Sequence, residues 1–155
     1  MKTILKRKHS PMNVCPDNLT LVAEFMHCFE QPVACGFDEP SVLRLGMKLI
    51  NEERNELEEA TDLIIKDHFT TGGDHEQLRA HFIKELSDLL FVTYWMAAAV
   101  GVDIDEALYR VWQSNMSKLG ADGKPVKRDD GKVLKGPDYF EPVLTDLVRR
   151  VPITL

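Results

Sequence analysis

Asn51-Glu52-Glu53-Arg54-Asn55-Glu56-Leu57 is the stretch whose reading decides the fold. It lies inside a long pattern of helical periodicity. A helix advances about 100° per residue, so Glu53 and Glu56 share a face. With Glu53 at the origin of the wheel, Leu57, Ile50, Ile64, Gly46, Ala60 and Leu49 fall within roughly 60° of it. Arg54, Asn55, Glu58, Glu59 and Lys48 fall elsewhere. Two carboxylates therefore stand on the apolar stripe, while the other charges face outward as a surface helix requires.

Buried carboxylates cost several kcal/mol unless something compensates them. A second acidic pair suggests what does. Glu85-Leu86-Ser87-Asp88 repeats the three-residue spacing in the next helical segment, and Leu78, Phe82, Leu89, Val92 and Met96 surround Glu85 on the wheel. Two inward-facing acid pairs on consecutive helices can meet across one seam. Four carboxylates there form an oxygen-rich site suited to Mg²⁺ or Mn²⁺. A single Glu-x-x-Glu carries little weight, since acidic helices are full of it; the coincidence of two pairs on apolar stripes carries the reading.

The 155 residues suit a single domain, with a helical core over about 18–118 and an arm with a C-terminal helix over 119–155. Hydrophobic residues make up 44% and charged residues 28%, and the net charge is -6. That balance argues against a general partner among nucleic acids or anionic membranes. The basic start, Met1 to Lys8, lacks a following apolar segment and does not read as a signal peptide. Cys15, Cys28 and Cys35 are odd in number and lack CxxC spacing, which points to a reducing cytoplasm. The longest apolar run, Leu89 to Val100, is too short to span a bilayer and reads as a segment buried on all sides, suggesting a subunit interface.

Residues 1–17 look irregular. A first helix is expected from Thr20 to Gln31, capped by Asp17 or Asn18, with Val22, Phe25, Met26 and Phe29 as its apolar stripe. A second runs from Pro40 to about His68. A third, capped by Asp74, reaches Val100. A fourth, with Asp103 and Glu106 as a capping box, ends near Ser117. Asp122-Gly123 and Asp130-Gly131 are turn dipeptides, and a short β-hairpin is expected around the second. Five cationic residues fall between Lys124 and Lys135. A last helix is expected from Pro142 to Arg150. The fold class is thus all-α: four main helices with a basic hairpin arm, in an oligomer.

Asn115 and Lys118 share a face at the end of the fourth helix, just before the basic arm. Amide and ammonium groups near an acidic metal site suit a phosphate chain held by metals on one side and lysines on the other. Neither acid pair has a His at the offset di-iron bundles need. His27 reads as a helix-surface residue, and Trp95 and Trp112 as core or interface. There is no P-loop, G-x-G-x-x-G or G-x-S-x-G motif.

Glu52-Glu53-x-x-Glu56 followed by Glu85-x-x-Asp88 resembles the signature of the all-α nucleoside triphosphate pyrophosphohydrolases, the MazG-like group. For the phosphoribosyl-ATP-pyrophosphohydrolase-like branch of phages and bacteria the resemblance covers nearly the whole chain. It is carried by Phe25-Met26-x-x-Phe29-x-Gln31-Pro32, Leu43-Arg44, Asp88-Leu89-Leu90, Ser114-Asn115-Met116-Ser117-Lys118-Leu119, Asp130-Gly131-Lys132-Val133-x-Lys135 and Tyr139-x-x-Pro142. It implies a four-helix MazG-like bundle that cleaves a nucleoside triphosphate to monophosphate and pyrophosphate, using two or more Mg²⁺ or Mn²⁺ ions. It further implies Glu53, Glu56, Glu85 and Asp88 as metal ligands, with Glu52 a supporting carboxylate or base. Asn115 and Lys118 would touch phosphate or sugar. Lys132 and Lys135 would touch phosphates, from a neighbouring subunit. Gln31 would face the base. A homodimer or homotetramer is expected, with a purine, dGTP or GTP, as the leading substrate and phosphoribosyl-ATP as the alternative within the class. From another class, a helical assembly module would use the acid pairs as a salt-bridge seam and place cations on the facing stripes. Trp95-Met96 departs from the pattern by standing where relatives often carry small residues.

Overall fold

The computed structural model of the protein describes residues 17–70 and 76–148. Four α-helices follow one another: α1 Asn18–Cys28, α2 Pro40–Thr70, α3 Glu76–Val100 and α4 Ile104–Met116. Asp17 caps α1 by accepting a hydrogen bond from the Thr20 amide at 2.8 Å. Asp103 caps α4 in the same way, accepting from Glu106 N at 2.9 Å. Gly101, at φ 76°, ends α3 in the left-handed conformation that closes helices, and Val102 N returns to the Ala97 carbonyl at 2.9 Å. The expected cap Asp74 and residues 1–16 lie outside the described residues.

The long helices α2 and α3 pack along each other, and α1 lies on α3. The core collects Val22, Ala23 and Met26 from α1 and Tyr94, Trp95, Ala98 and Ala99 from α3, with Val42, Leu49 and Met96 packed against them. The loop after α1 seals this end: Ala34 N and Cys35 N donate to the carbonyls of Ala98 and Ala99 at 2.9 and 2.8 Å. The apolar run of α3 is therefore buried from Val92 onward by its own chain, while Leu90 and Phe91 stay exposed. The expectation of burial on all sides holds only for its second half.

The bulky pair at 95 and 96 is accommodated by a glycine. A Cβ on Gly46 of α2 would overlap the Met96 sulfur and lie 2.8 Å from its Cε and 3.3 Å from Trp95 Cζ3. The absent side chain at 46 makes room for Met96 and Trp95 of the opposite helix. Trp95 is fixed further by donating from Nε1 to Gln31 Oε1 at 2.7 Å.

Three local expectations are corrected. Phe25 and Phe29 are not core residues. They are 37% and 64% exposed and stack on each other at 4.5 Å, with Phe91 edge-on to Phe25 at 5.2 Å. Small Ala23 takes the inward place instead. The arm forms no strand among the described residues. It makes two tight turns with isolated bridges, Leu119 to Pro125 and Lys127 to Val133. Pro125 cannot donate to a ladder, and paired segments this short with no third strand do not sustain one. The last helix shrinks to one 3₁₀ turn, Thr145–Val148, because Arg110 draws the Val143 carbonyl to its guanidinium at 2.9 Å. Arg149 and Arg150 lie outside the described residues.

Candidate active site

The α2 stripe faces α3 as its periodicity requires. Gly46 and Ala60 are buried, Leu49, Ile50, Leu57 and Ile64 are half-buried, and Arg54, Glu58 and Glu59 are exposed. Glu53 is half-buried and Glu56 exposed at the edge of the seam. On α3, Glu85 is the one charged side chain of the buried set among the described residues, at 2% exposure, and Asp88 is half-buried. Gly46 faces Met96, and one helical stretch away Glu53 and Glu56 face Glu85, so the two helices run antiparallel.

The carboxylates of Glu53, Glu56 and Glu85 converge, each with an oxygen within 4.8 Å of the others. Burial, followed by the charges of Glu56 and Asp88, holds Glu53 above the ordinary carboxylate value. Glu53 and Glu56 make no ion pair among the described residues, although the charge of Lys84 on α3 acts on Glu53. A cluster of hard oxygen donors in which carboxylates outnumber cations fits a divalent cation of the Mg²⁺ or Mn²⁺ type.

On α3 the cluster does have a cation, Lys84, and a neighbouring imidazole. Lys84 Nζ lies 3.0 Å from both carboxylate oxygens of Glu85 and 2.8 Å from Asp88 Oδ2. His81 Nε2 lies 2.9 Å from Glu85 Oε1. Hydrogen bonds to Asp88 and then Glu85 hold the Lys84 ammonium well above the usual lysine value. Neither residue was singled out from the sequence. The signal was there in their spacing, since His81 and Glu85, like Lys84 and Asp88, are four apart on one helix.

The other expected site residues are not brought to this cluster within one chain. Glu52 points away from it, pairing with Lys48 at 3.6 Å and lining an open groove with Leu43, Met47, Asn51 and Asn55. Gln31 is held by Trp95, two helical turns (about 10 Å) along α3 from Asp88. Lys118 donates to Asn115 Oδ1 at 2.6 Å, and the two form one polar patch at the end of α4. Lys135 pairs with Glu141 at 2.9 Å and sits 4.1 Å above the Tyr139 ring. Lys132 shapes the Asp130-Gly131 turn through its backbone, donating N–H to Asp130 Oδ1 at 3.1 Å.

The Ser-Asn-Met-Ser-Lys element has a structural job that sequence reading missed. Buried Ser114 donates to the Phe140 carbonyl at 2.8 Å, and Ser117 Oγ accepts from Phe140 N at 3.1 Å. Both backbone groups of one residue are thus pinned to α4, fixing where the arm returns. Gly136 permits this return: a Cβ there would overlap the Leu119 carbonyl oxygen and lie 2.9 Å from that of Lys118.

Among the described residues no single helix is long and apolar enough to cross a membrane. A comparison with curated proteins gives no significant match. The family model described as phosphoribosyl-ATP pyrophosphohydrolase matches residues 22–115, from the core face of α1 to Asn115, and so takes in both acid pairs. The match covers well over half of the chain: the protein belongs to the phosphoribosyl-ATP pyrophosphohydrolase family, within the all-α MazG-like nucleotide pyrophosphohydrolase superfamily.

Proposed function

We propose that the protein is a divalent-metal-dependent nucleoside triphosphate pyrophosphohydrolase that releases diphosphate from a purine (d)NTP, dGTP or GTP first. The convergence of Glu53, Glu56 and Glu85 on an apolar helix seam, inside the region that matches a pyrophosphohydrolase family, is the observation that carries this reading. Glu53, Glu56, Glu85 and Asp88 would hold two or more Mg²⁺ or Mn²⁺ ions. When bound, such ions supply charge neutralisation for the phosphates and a lowered pKa for water.

The chain's own residues do the rest. Water attacks a phosphorus of the triphosphate in line; an O–P bond forms, the bridging P–O bond breaks, and diphosphate leaves with the electron pair. The water's proton passes to a carboxylate. Of the two candidates, Glu56 stands in the cluster and is open to solvent, whereas Glu52 is engaged with Lys48 on another side of the helix. Asn115 and Lys118 contact sugar or phosphate, and Lys132 and Lys135 neutralise the phosphate chain. Gln31 faces the base.

The hydrogen bonds and ion pairs of the arm run to α4 and within the arm itself, which supports an arrangement in which a neighbouring subunit supplies the lysines. The exposed apolar residues Phe25, Phe29, Ile83, Leu86, Leu90 and Phe91 provide the surface for a homodimer or a dimer of dimers. The location that suits this chemistry is the cytoplasm, in nucleotide-pool control. The family match also favours phosphoribosyl-ATP, a second purine triphosphate, as substrate. Diphosphate release measured across (d)NTPs and phosphoribosyl-ATP, with Mg²⁺ and with Mn²⁺, decides between them. No release from any of them would sink the enzymatic reading.

A further inference from the structure

We propose that Lys84 is the acid site's resident counter-cation, occupying in the metal-free protein the carboxylate oxygens that a divalent ion must take. The inference rests on the reading of the cluster as a metal site. Glu85 is buried to 2% exposure, and a carboxylate at that depth needs a positive partner. The partner comes from its own helix. The Lys84 ammonium uses two of its donors on Glu85 Oε1 and Oε2, both at 3.0 Å, and a third on Asp88 Oδ2 at 2.8 Å. Glu53 and Glu56, facing it from α2, bring only negative charge.

A divalent ion binds carboxylate oxygens at roughly 2.0–2.1 Å. It cannot do so at Glu85 while an ammonium bridges both oxygens, because the two cations repel and compete for the same lone pairs. Lys84 is free to yield. Its side chain is 60% exposed, so the flexible stem can swing into solvent when the ion arrives. His81, 2.9 Å from Glu85 Oε1, stays to orient the carboxylate. The metal-free seam is thereby kept from splaying under the repulsion of three converging carboxylates. The cost is a weaker apparent metal affinity, since each ion must first displace the lysine.

Calorimetric titration of Mn²⁺ into the full chain tests this, with wild type, Lys84→Met, Lys84→Gln and Lys84→Arg compared. Lys84→Met and Lys84→Gln, which lack the charge, are expected to bind Mn²⁺ about tenfold tighter than wild type. Lys84→Arg keeps the charge and should stay within about threefold. Without metal, the thermal midpoints of the two neutral variants should fall below wild type, and saturating Mn²⁺ should bring them together. Mn²⁺ affinity in the neutral variants equal to or weaker than that of a wild type that does bind the ion overturns the role of Lys84 alone. A wild type that binds no Mn²⁺ overturns the metal reading and this inference with it.

Discussion

Under the proposed metal-site reading, Glu53 and Glu85 are the residues on which the chemistry would depend. Replacing Glu53 by Gln removes one donor and one like charge without changing shape. Activity should fall by about 10³-fold or more, and the rise in thermal midpoint on adding Mn²⁺ should disappear. Glu58→Gln and Glu59→Gln, on the exposed face, should leave turnover within about twofold. Loss of activity in those two would mean that the wrong face of α2 carries the site. Periodicity put all four acids on inward stripes, whereas in the fold only Glu85 is buried, Glu53 and Asp88 are half-buried and Glu56 is exposed, because a wheel does not say how far the neighbouring helix covers the edge of a stripe. Lys84 was not legible, since spacing allows its ion pairs but only the folded rotamer shows both oxygens of Glu85 taken. Asp17 offers a separate check by pH. The Thr20 hydrogen bonds hold its carboxyl below its ordinary value of 3.8. A depressed value means that the cap's contribution is complete above pH 3.8 and is lost as pH falls through the folded value. Asp17→Ala should thus cost about 1 kcal/mol in urea unfolding near neutrality, and the gap from wild type should narrow in acid below that value.

The helices were legible as elements because caps, periodicity and breakers agree: Asp17, Pro40, Asp103 and Gly101 sit where α1, α2, α4 and the end of α3 need them. The arm was less legible. Its turns follow from Asp-Gly dipeptides, and Gly123 and Gly131 do adopt φ 72° and 84°. The absence of strands follows from Pro125, which cannot donate to a ladder, and from the lack of a third strand, which no local signal encodes. Its anchoring to α4 makes a prediction at this scale. Ser114→Ala leaves the Phe140 carbonyl short of its buried donor and should cost about 1–2 kcal/mol. Gly136→Ala, which forces a Cβ against backbone that cannot step aside, should dislodge the arm. Both should raise KM for the nucleotide severalfold with helical circular dichroism unchanged. A KM equal to wild type in both would detach the arm from substrate binding.

For the whole molecule, the decisive unknown at the sequence level was which surfaces remain for a second copy. Periodicity put Phe25 and Phe29 on the apolar stripe of α1, and a helical stripe cannot say whether the partner helix is its own chain's or another's. With the basic arm anchored to α4 rather than bonded to the acid seam, function is expected to need the two from different subunits. Sedimentation should show a dimer or tetramer. More pointedly, a Glu53→Gln variant and a Lys132→Ala/Lys135→Ala variant, each weak alone, should recover activity when mixed and allowed to exchange subunits. Mixed activity no greater than the sum of the separate ones would place the arm and the seam of one site on the same chain, or leave the arm idle.

The notch at Gly46 has a reach beyond its own contacts. A helix that slips one residue along its neighbour also turns by about 100°, which would carry Glu53 and Glu56 off the seam. Trp95 and Met96 seat in α2 only where a side chain is missing, about 10 Å from Glu53 by helical rise. The notch and the two side chains work like a key and keyway, indexing α2 against α3 at a single setting. Gly46→Val should therefore do more than overpack the core by about 1–3 kcal/mol. It should loosen Mn²⁺ binding at carboxylates it never touches, and a compensating Met96→Ala should restore part of both losses together.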